Sequence, residues 1–337
     1  MEHQVTIASM TRCLEQGLGK LHGREIRLRE LRREPFRGSS SFATELLTAT
    51  LEDGESIDIF FKDLNPENQL NEARAIRNEN GLDRSQRELS MYQHVLTPLR
   101  LGTPKLYGYR WEPDESTYWI FLEHAGPKRL SRLGDFNIWV DATRWIAKLH
   151  AVDYRQLDEV NKVLPQYDAD HFQLCRAQVE RNFARFNAEQ QRTISEALAR
   201  YNNILDYLNN LPKCLIHGEY FGKNVMVRPL SSDDAIAVID WETAAIGPRC
   251  VDLVSITAGR WTPEQRTEMK QAYAETYEQQ TGLPVDLAEL DREMANVALY
   301  RALWWVGYWS QGDDTHIERW IKELKKVMDQ QQAYAND

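Results

Sequence analysis

The chain has no excess of basic residues. Among 337 residues, 41 Lys and Arg stand against 51 Asp and Glu, a net charge of −10 with a pI near 5.4. Holding a nucleic-acid phosphate backbone requires a basic face, so the balance argues against nucleic acid as the main partner. It suits a cationic small molecule without demanding one. Long apolar runs are also missing. The longest, Ala302 to Trp309, is far too short to cross a bilayer, so no membrane association is expected. The N-terminus carries Glu2, Arg12, Glu15 and Lys20 and shows no apolar core of a secretory signal. Cysteine is sparse: Cys13, Cys175, Cys214 and Cys250 lie apart, without metal-ligand or redox spacing. They read as reduced thiols in a cytoplasmic protein. Internal repeats and low-complexity tracts are absent.

What the chain does have is packing material and length. Ten Trp, fourteen Tyr and ten Phe in 337 residues can build one large domain or two lobes. Residues 4–18 are expected to open with a short helix. Alternation begins at Ile26, Leu28 and Leu31, with an irregularity at Glu30. The turn-rich Arg37-Gly38-Ser39-Ser40-Ser41 follows, then a strand over Phe42 to Leu51, a turn at Asp53-Gly54 and a strand over Ser56 to Lys62. Residues 64–84 are polar, lack an apolar period and read as an insertion. Arg87 to Leu96 is expected to be helical, with strands near Lys105–Trp111 and Tyr118–Glu123. The remainder reads as helical near 139–149, 168–210, 263–280, 286–309 and 316–332.

Two short stretches carry the chemistry. Cys214-Leu-Ile-His-Gly-Glu-Tyr-Phe-Gly-Lys-Asn224 places an acid two residues after His217 and an Asn five residues after that acid. An acid to meet a substrate hydroxyl and an Asn to hold magnesium is the layout of a phosphoryl-transfer loop. The apolar run Ala235 to Ile239 then ends in Asp240, a second hard oxygen ligand, followed by Trp241 and Glu242. Burying an Asp at the end of such a run is expensive unless a cation or donors await it.

These stretches resemble the aminoglycoside phosphotransferase family, the small-molecule branch of the protein-kinase-like fold that also includes the choline kinases. His217, Gly218, Asn224, Ile239, Asp240, Trp241 and Glu242 match its His-Gly-Asp-x-x-x-x-Asn and Ile-Asp-Trp-Glu patterns. Glu219 departs from them, standing where Asp is usual. The resemblance spans roughly residues 24–310 in element order. It implies an α+β, bilobal fold: an N-terminal lobe over 1–123, an antiparallel sheet plus helix, and a larger, mostly helical lobe over 124–337, with a hinge at the Gly126-Pro127 break.

The resemblance further implies an enzyme, a small-molecule kinase using ATP or GTP and Mg2+ on a hydroxyl acceptor. Lys62 would hold the α- and β-phosphates and pair with Glu88, with Glu72 as the alternative partner. Ser39, Ser40 and Ser41 would cradle phosphate oxygens, a plain hairpin turn being the alternative. The backbone of Leu122 and His124 would meet the adenine, Asn224 and Asp240 the metal. His217 would organise the loop and Asp252 anchor it. Trp304, Trp305, Tyr308 and Trp309 invite an aromatic cage for a cationic acceptor, but such stripes usually pack the core.

Glu219 leaves three readings open. The loop backbone retracts to accommodate one more methylene, or the acceptor differs so that a longer acid fits it, or the site binds nucleotide with little transfer, as a pseudokinase. An atypical transferase with another acceptor is a further alternative.

Overall fold

The structure, a computed structural model, describes residues 6–36, 42, 44–69, 81–126, 128–228, 235–310, 312 and 314–334. Ser39, Ser40, Ser41 and Glu72 lie outside them. The chain divides into two units. One is Met1–Lys128 with Met226–Glu242, and the other is Arg129–Val225 with Thr243–Asp337. A single cut after residue 123 makes no provision for the return of Met226–Glu242 to the first unit. Local contacts explain the return: Met226, Ala237 and Ile239 pack with Ala125, and the Arg228 guanidinium pairs with the Glu123 carboxylate at 3.1 and 3.2 Å.

The first unit opens with helix α1 (Ile7–His22), capped by Thr6 and ended by Gly23 at φ 64°. Strands β1 (Leu28–Phe36), β2 (Thr44–Leu51), β3 (Ser56–Asp63), β4 (Leu106–Glu112) and β5 (Thr117–Glu123) form an antiparallel sheet ordered β1-β2-β3-β5-β4. The irregularity expected at Glu30 is present as a register shift between Leu28 and Glu30. Met10, Leu14 and Leu18 of α1 are fully buried with Leu47, Ile59, Phe61 and Phe121 of the sheet. The approach of helix to strand is close enough to need glycine: a Cβ on Gly17 would lie 2.0 Å from the Tyr107 carbonyl oxygen.

Helix α2 (Gly81–Met91) starts inside the stretch expected to be aperiodic. Its buried residues are mostly polar, Ser85, Arg87, Glu88 and Ser90, with Leu89 and Met91 only in its last turn, so no apolar period announces it. The helix continues into a wider π turn over Tyr92–Leu96, with Tyr92, Val95 and Leu96 buried.

The second unit is helical apart from a short antiparallel pair, β6 (Lys213–Ile216) with β7 (Ala245–Pro248). Its helices of seven residues or more are α3 (Phe136–His150), α4 (Ala169–Arg181), α5 (Ala188–Asn210), α6 (Cys250–Ile256), α7 (Pro263–Thr281), α8 (Leu287–Trp309) and α9 (Asp314–Tyr334). Reciprocal capping boxes at Asn187/Gln190 and Thr262/Gln265 fix the starts of α5 and α7. Helix α7 packs on α3, and α8 packs on α4, α6 and α9. Among the described residues, no helix is long and apolar enough to cross a membrane.

Candidate active site

In the first unit, the sheet and α2 assemble a charged cluster. Lys62, near the end of β3, donates from Nζ to both carboxylate oxygens of Glu88 at 2.7 and 3.0 Å. Asp240 Oδ1 lies 3.7 Å from the same ammonium. Burial alone would push the Lys62 pKa down, but the Glu88, Asp240 and Glu242 carboxylates outweigh it and hold the ammonium above the ordinary lysine range. Lys62 is therefore a permanent cation with carboxylates already around it. Asp240 has φ 71°, a left-handed backbone that costs a non-glycine residue roughly 1–3 kcal/mol.

Two arginines of α2 complete this cluster. Arg87 Nη1 donates to the Glu242 carbonyl at 2.8 Å, and Arg84 Nη1 lies 3.9 Å from Glu242 Oε1. Near the end of β5, Leu122 sits in register between Phe60 and Leu106. The His124 N–H donates to the Asp58 carbonyl at 3.2 Å. Glu123 is structural, accepting from Lys105 N–H at 3.0 Å as well as pairing with Arg228.

In the second unit, the loop between β6 and Val225 is held from every side. The fully buried Asp252 carboxylate accepts the His217 N–H at 2.7 Å and the Gly218 N–H at 2.9 Å. It also meets His150 Nε2 at 3.1 Å, and His150 Nδ1 reaches the Tyr273 hydroxyl at 2.9 Å. The His217 carbonyl accepts from Thr243 Oγ1 at 3.0 Å, and the Gly218 carbonyl from Arg301 Nη1 at 2.7 Å. The Glu219 N–H donates to His217 Nδ1 at 3.2 Å, so that ring nitrogen carries a lone pair and not the proton. The Glu219 carbonyl accepts from Asn224 Nδ2 at 3.0 Å and from the Phe221 N–H at 2.7 Å. All six backbone polar groups of residues 217–219 are thereby hydrogen-bonded.

This loop needs glycine where it has it. Gly218 has φ 84°, and a Cβ there would stand 2.3 Å from the Thr243 carbonyl oxygen. At Gly222, a Cβ would lie 2.5 Å from the Trp139 ring of α3. Glu219 itself is partly exposed, with Lys223 Nζ 3.5 Å from its carboxylate. Asp252 is charged deep in the fold. Burial pushes its pKa up, but the hydrogen bonds it accepts from the His150 ring and the His217 amide outweigh this and hold it below the usual carboxylate value.

The family model of the phosphotransferase enzyme family matches residues 51–291, which include Lys62, Glu88, Asp240 and the loop at 217–224 but not Arg301. The chain belongs to the phosphotransferase enzyme family. As a member it is an enzyme, a small-molecule kinase. The α+β architecture is that of solved relatives. A crystal structure of an aminoglycoside phosphotransferase homologue from Ralstonia eutropha JMP134 superposes with a TM-score of 0.59 at 16% identity, over 94% of this chain and 95% of that one. APH(2")-IIIa, solved with GDP and kanamycin, gives a TM-score of 0.59 at 14% identity, over 96% and 99%. An ethanolamine kinase from Plasmodium vivax gives 0.54 at 12%, over 89% and 82%. No curated protein sequence matches the chain.

The family implies magnesium, and the donor chemistry of the two clusters fits it. Asn224 is buried, and its amide nitrogen is committed to the Glu219 carbonyl, so the hard oxygen donor it offers is Oδ1. Asp240 supplies a carboxylate beside Lys62. Among the described residues, no group of three or more His, Cys, Asp or Glu could hold a metal ion. Magnesium bound with a nucleotide needs only one or two protein oxygens, because phosphates and waters supply the rest.

Of the aromatic residues of α8, Tyr308 meets both Trp305 and Trp309, with centroids 5.3 and 5.4 Å apart, and the others have further partners. Trp304 stacks on His171 with centroids 5.3 Å apart, Trp305 on Trp320 at 5.2 Å and Trp309 on His316 at 4.0 Å. The cation over Trp305 is the Arg301 guanidinium, 5.8 Å from its centroid. Sequence reasoning missed Arg84, Arg87, His150 and Arg301. His150 and Arg301 were visible only as helix-face neighbours of apolar residues, and their partners lie 102 and 83 positions away.

Proposed function

We propose that this chain moves the γ-phosphate of ATP or GTP, with magnesium, onto a hydroxyl of a small molecule. The observation that carries the reading is the loop at 217–219, whose six backbone polar groups are all tied while the Glu219 carboxylate remains partly exposed. Phosphoryl transfer asks for positioning and charge compensation more than for covalent chemistry. Glu219 accepts the proton of the acceptor hydroxyl, and His217 holds its amide. Lys62, fixed by Glu88, grips the nucleotide phosphates. Asn224 and Asp240 hold magnesium, which when bound neutralises the phosphate charge. The backbones of Leu122 and His124 border the base.

The tied backbone favours one of the readings of Glu219. Retraction would break several hydrogen bonds at once, each worth roughly 0.5–1.5 kcal/mol net. The longer side chain instead carries its carboxylate about 1.5 Å, roughly one C–C bond, beyond where an aspartate would end. The acceptor hydroxyl therefore arrives further from the loop. The solved relatives named for kanamycin and ethanolamine support a small hydroxyl-bearing amine, a class that the net charge of −10 suits. The four free cysteines support a reducing, cytoplasmic setting.

Mass spectrometry of acceptors incubated with Mg·ATP tests the proposal. The panel comprises aminoglycosides, macrolides, nucleosides, sugars and choline-like alcohols. The expected product carries one added phosphate. A nucleotidyl adduct, or tight ATP binding with no modified acceptor anywhere in the panel, would contradict it.

A further inference from the structure

Helix α2 addresses two partners from adjacent positions. Glu88 holds the Lys62 ammonium on β3 with both carboxylate oxygens. Arg87, the preceding residue, reaches the Glu242 carbonyl at 2.8 Å across 155 positions of sequence. Successive helical side chains diverge by about 100° at 3.6 residues per turn, so one turn can serve a strand and a separate segment together. Arg87 and Glu242 are both 7% exposed. Arg84, one turn earlier, stands 3.9 Å from the Glu242 carboxylate, so the residue is gripped at its backbone and near its side chain.

The segment so gripped is the one that presents Asp240. A non-glycine residue at φ 71° persists only where its surroundings over-determine it. On the N-terminal side, Ile239 packs with Ala125, Met226 and Ala237. The fully buried Trp241 donates its indole N–H to the Val238 carbonyl at 3.1 Å. On the C-terminal side, the Arg87 bond to the Glu242 carbonyl fixes the chain two residues beyond Asp240.

We propose that Arg87 is a positioning residue for the metal ligand Asp240. By holding the Glu242 carbonyl it keeps the strained backbone that aims the Asp240 carboxylate. Because Glu88 is its neighbour on α2, the phosphate-gripping Lys62 and the metal-holding Asp240 are set as one unit. The inference rests on the phosphotransfer reading of the site and adds to it a residue that touches neither nucleotide nor metal.

Calorimetric titration of the full chain with ATP, in EDTA and in excess magnesium chloride, tests it without any acceptor. The readout is the ratio of the two dissociation constants. Removing a residue that orients a metal ligand typically weakens metal binding on the order of 10–100-fold. Arg87→Ala and Arg87→Gln are expected to shrink the magnesium effect on the order of tenfold, with the EDTA value within about twofold of the unaltered protein. Glu242→Gln keeps the carbonyl and is expected to retain most of the effect. If Arg87→Ala fails to fold, Arg87→Lys, which keeps the charge but not the fork, decides by the same ratio. An unchanged ratio in the Arg87 variants, or equal weakening in EDTA and in magnesium, would overturn the inference alone. No magnesium effect in the unaltered protein would remove the phosphotransfer reading and this inference with it.

Discussion

The buried guanidinium of Arg301 donates to the carbonyl oxygen of Gly218 at 2.7 Å, one residue before the Glu219 side chain begins. Its second arm bonds Ser255 Oγ at 3.0 Å, and its plane lies over Phe221, 5.5 Å from the ring centroid. A cation on α8 thus braces the loop from below while Asp252 on α6 braces its amides. The loop is a fixed platform, and the reach of its acid is set by side-chain length.

Shortening that acid should therefore harm the enzyme. Glu219→Asp draws the carboxylate back by about 1.5 Å. A misplacement of about 1 Å can lower rate on the order of a hundredfold. Steady-state assays with the acceptor found in the panel should show kcat falling by that order, with ATP affinity unchanged. A Glu219→Asp variant as fast as the unaltered enzyme would mean that the loop is not fixed as described.

Arg301→Met keeps an apolar stem against Phe221 and Trp305 but removes both donors. The Gly218 carbonyl then loses its partner in a buried setting, a penalty of roughly 1–3 kcal/mol. Urea denaturation should show a stability loss of that size, and ADP release should fall with it. Unchanged stability and turnover would dismiss the brace.

The fold and the loop were legible in the sequence for different reasons. The His217, Glu219 and Asn224 spacing is local chemistry, and Asn224 does bond the Glu219 carbonyl across those five positions. The Lys62–Glu88 pair followed from element order, a strand end and the next helix, with Glu72 left open as the alternative. Arg87, His150 and Arg301 were illegible because their partners are 155, 102 and 83 residues distant, and no period or motif records such pairings. The start of α2 was missed for a related reason: the buried residues before Leu89 are polar or charged, Ser85, Arg87 and Glu88, and leave no apolar period. The return of Met226–Glu242 to the first unit depends on the packing of Ala125 with Met226 and Ala237, which sequence order conceals.

Asp252 makes the second unit sensitive to acid. Its pKa is depressed in the folded chain, so it contributes stability that is full above its unfolded value, about 3.9, and is lost as pH falls through the lower folded value. Asp252→Asn removes a buried carboxylate that meets the His150 ring and the His217 and Gly218 amides, hydrogen bonds to a charged group worth roughly 1.5–3 kcal/mol each at neutral pH. The stability gap between the two proteins should narrow as pH drops below about 4. A gap that is constant from neutral to acid pH would show that the carboxylate charge contributes nothing.

Gly218→Ala should disable the loop without touching any charged group. The new methyl meets the Thr243 carbonyl at 2.3 Å on a backbone already at φ 84°. Turnover is expected to fall at least on the order of a hundredfold, the scale of a 1 Å misplacement. Near-unaltered turnover would mean that the loop can take another conformation and still work.

The most direct measurement is ADP release from Mg·ATP across the acceptor panel, run in parallel on the unaltered protein and on Asp240→Ala. Acceptor-dependent release in the first and none in the second is the result expected of a phosphotransferase whose metal is held at Asp240. Full release by Asp240→Ala would contradict the account at its centre.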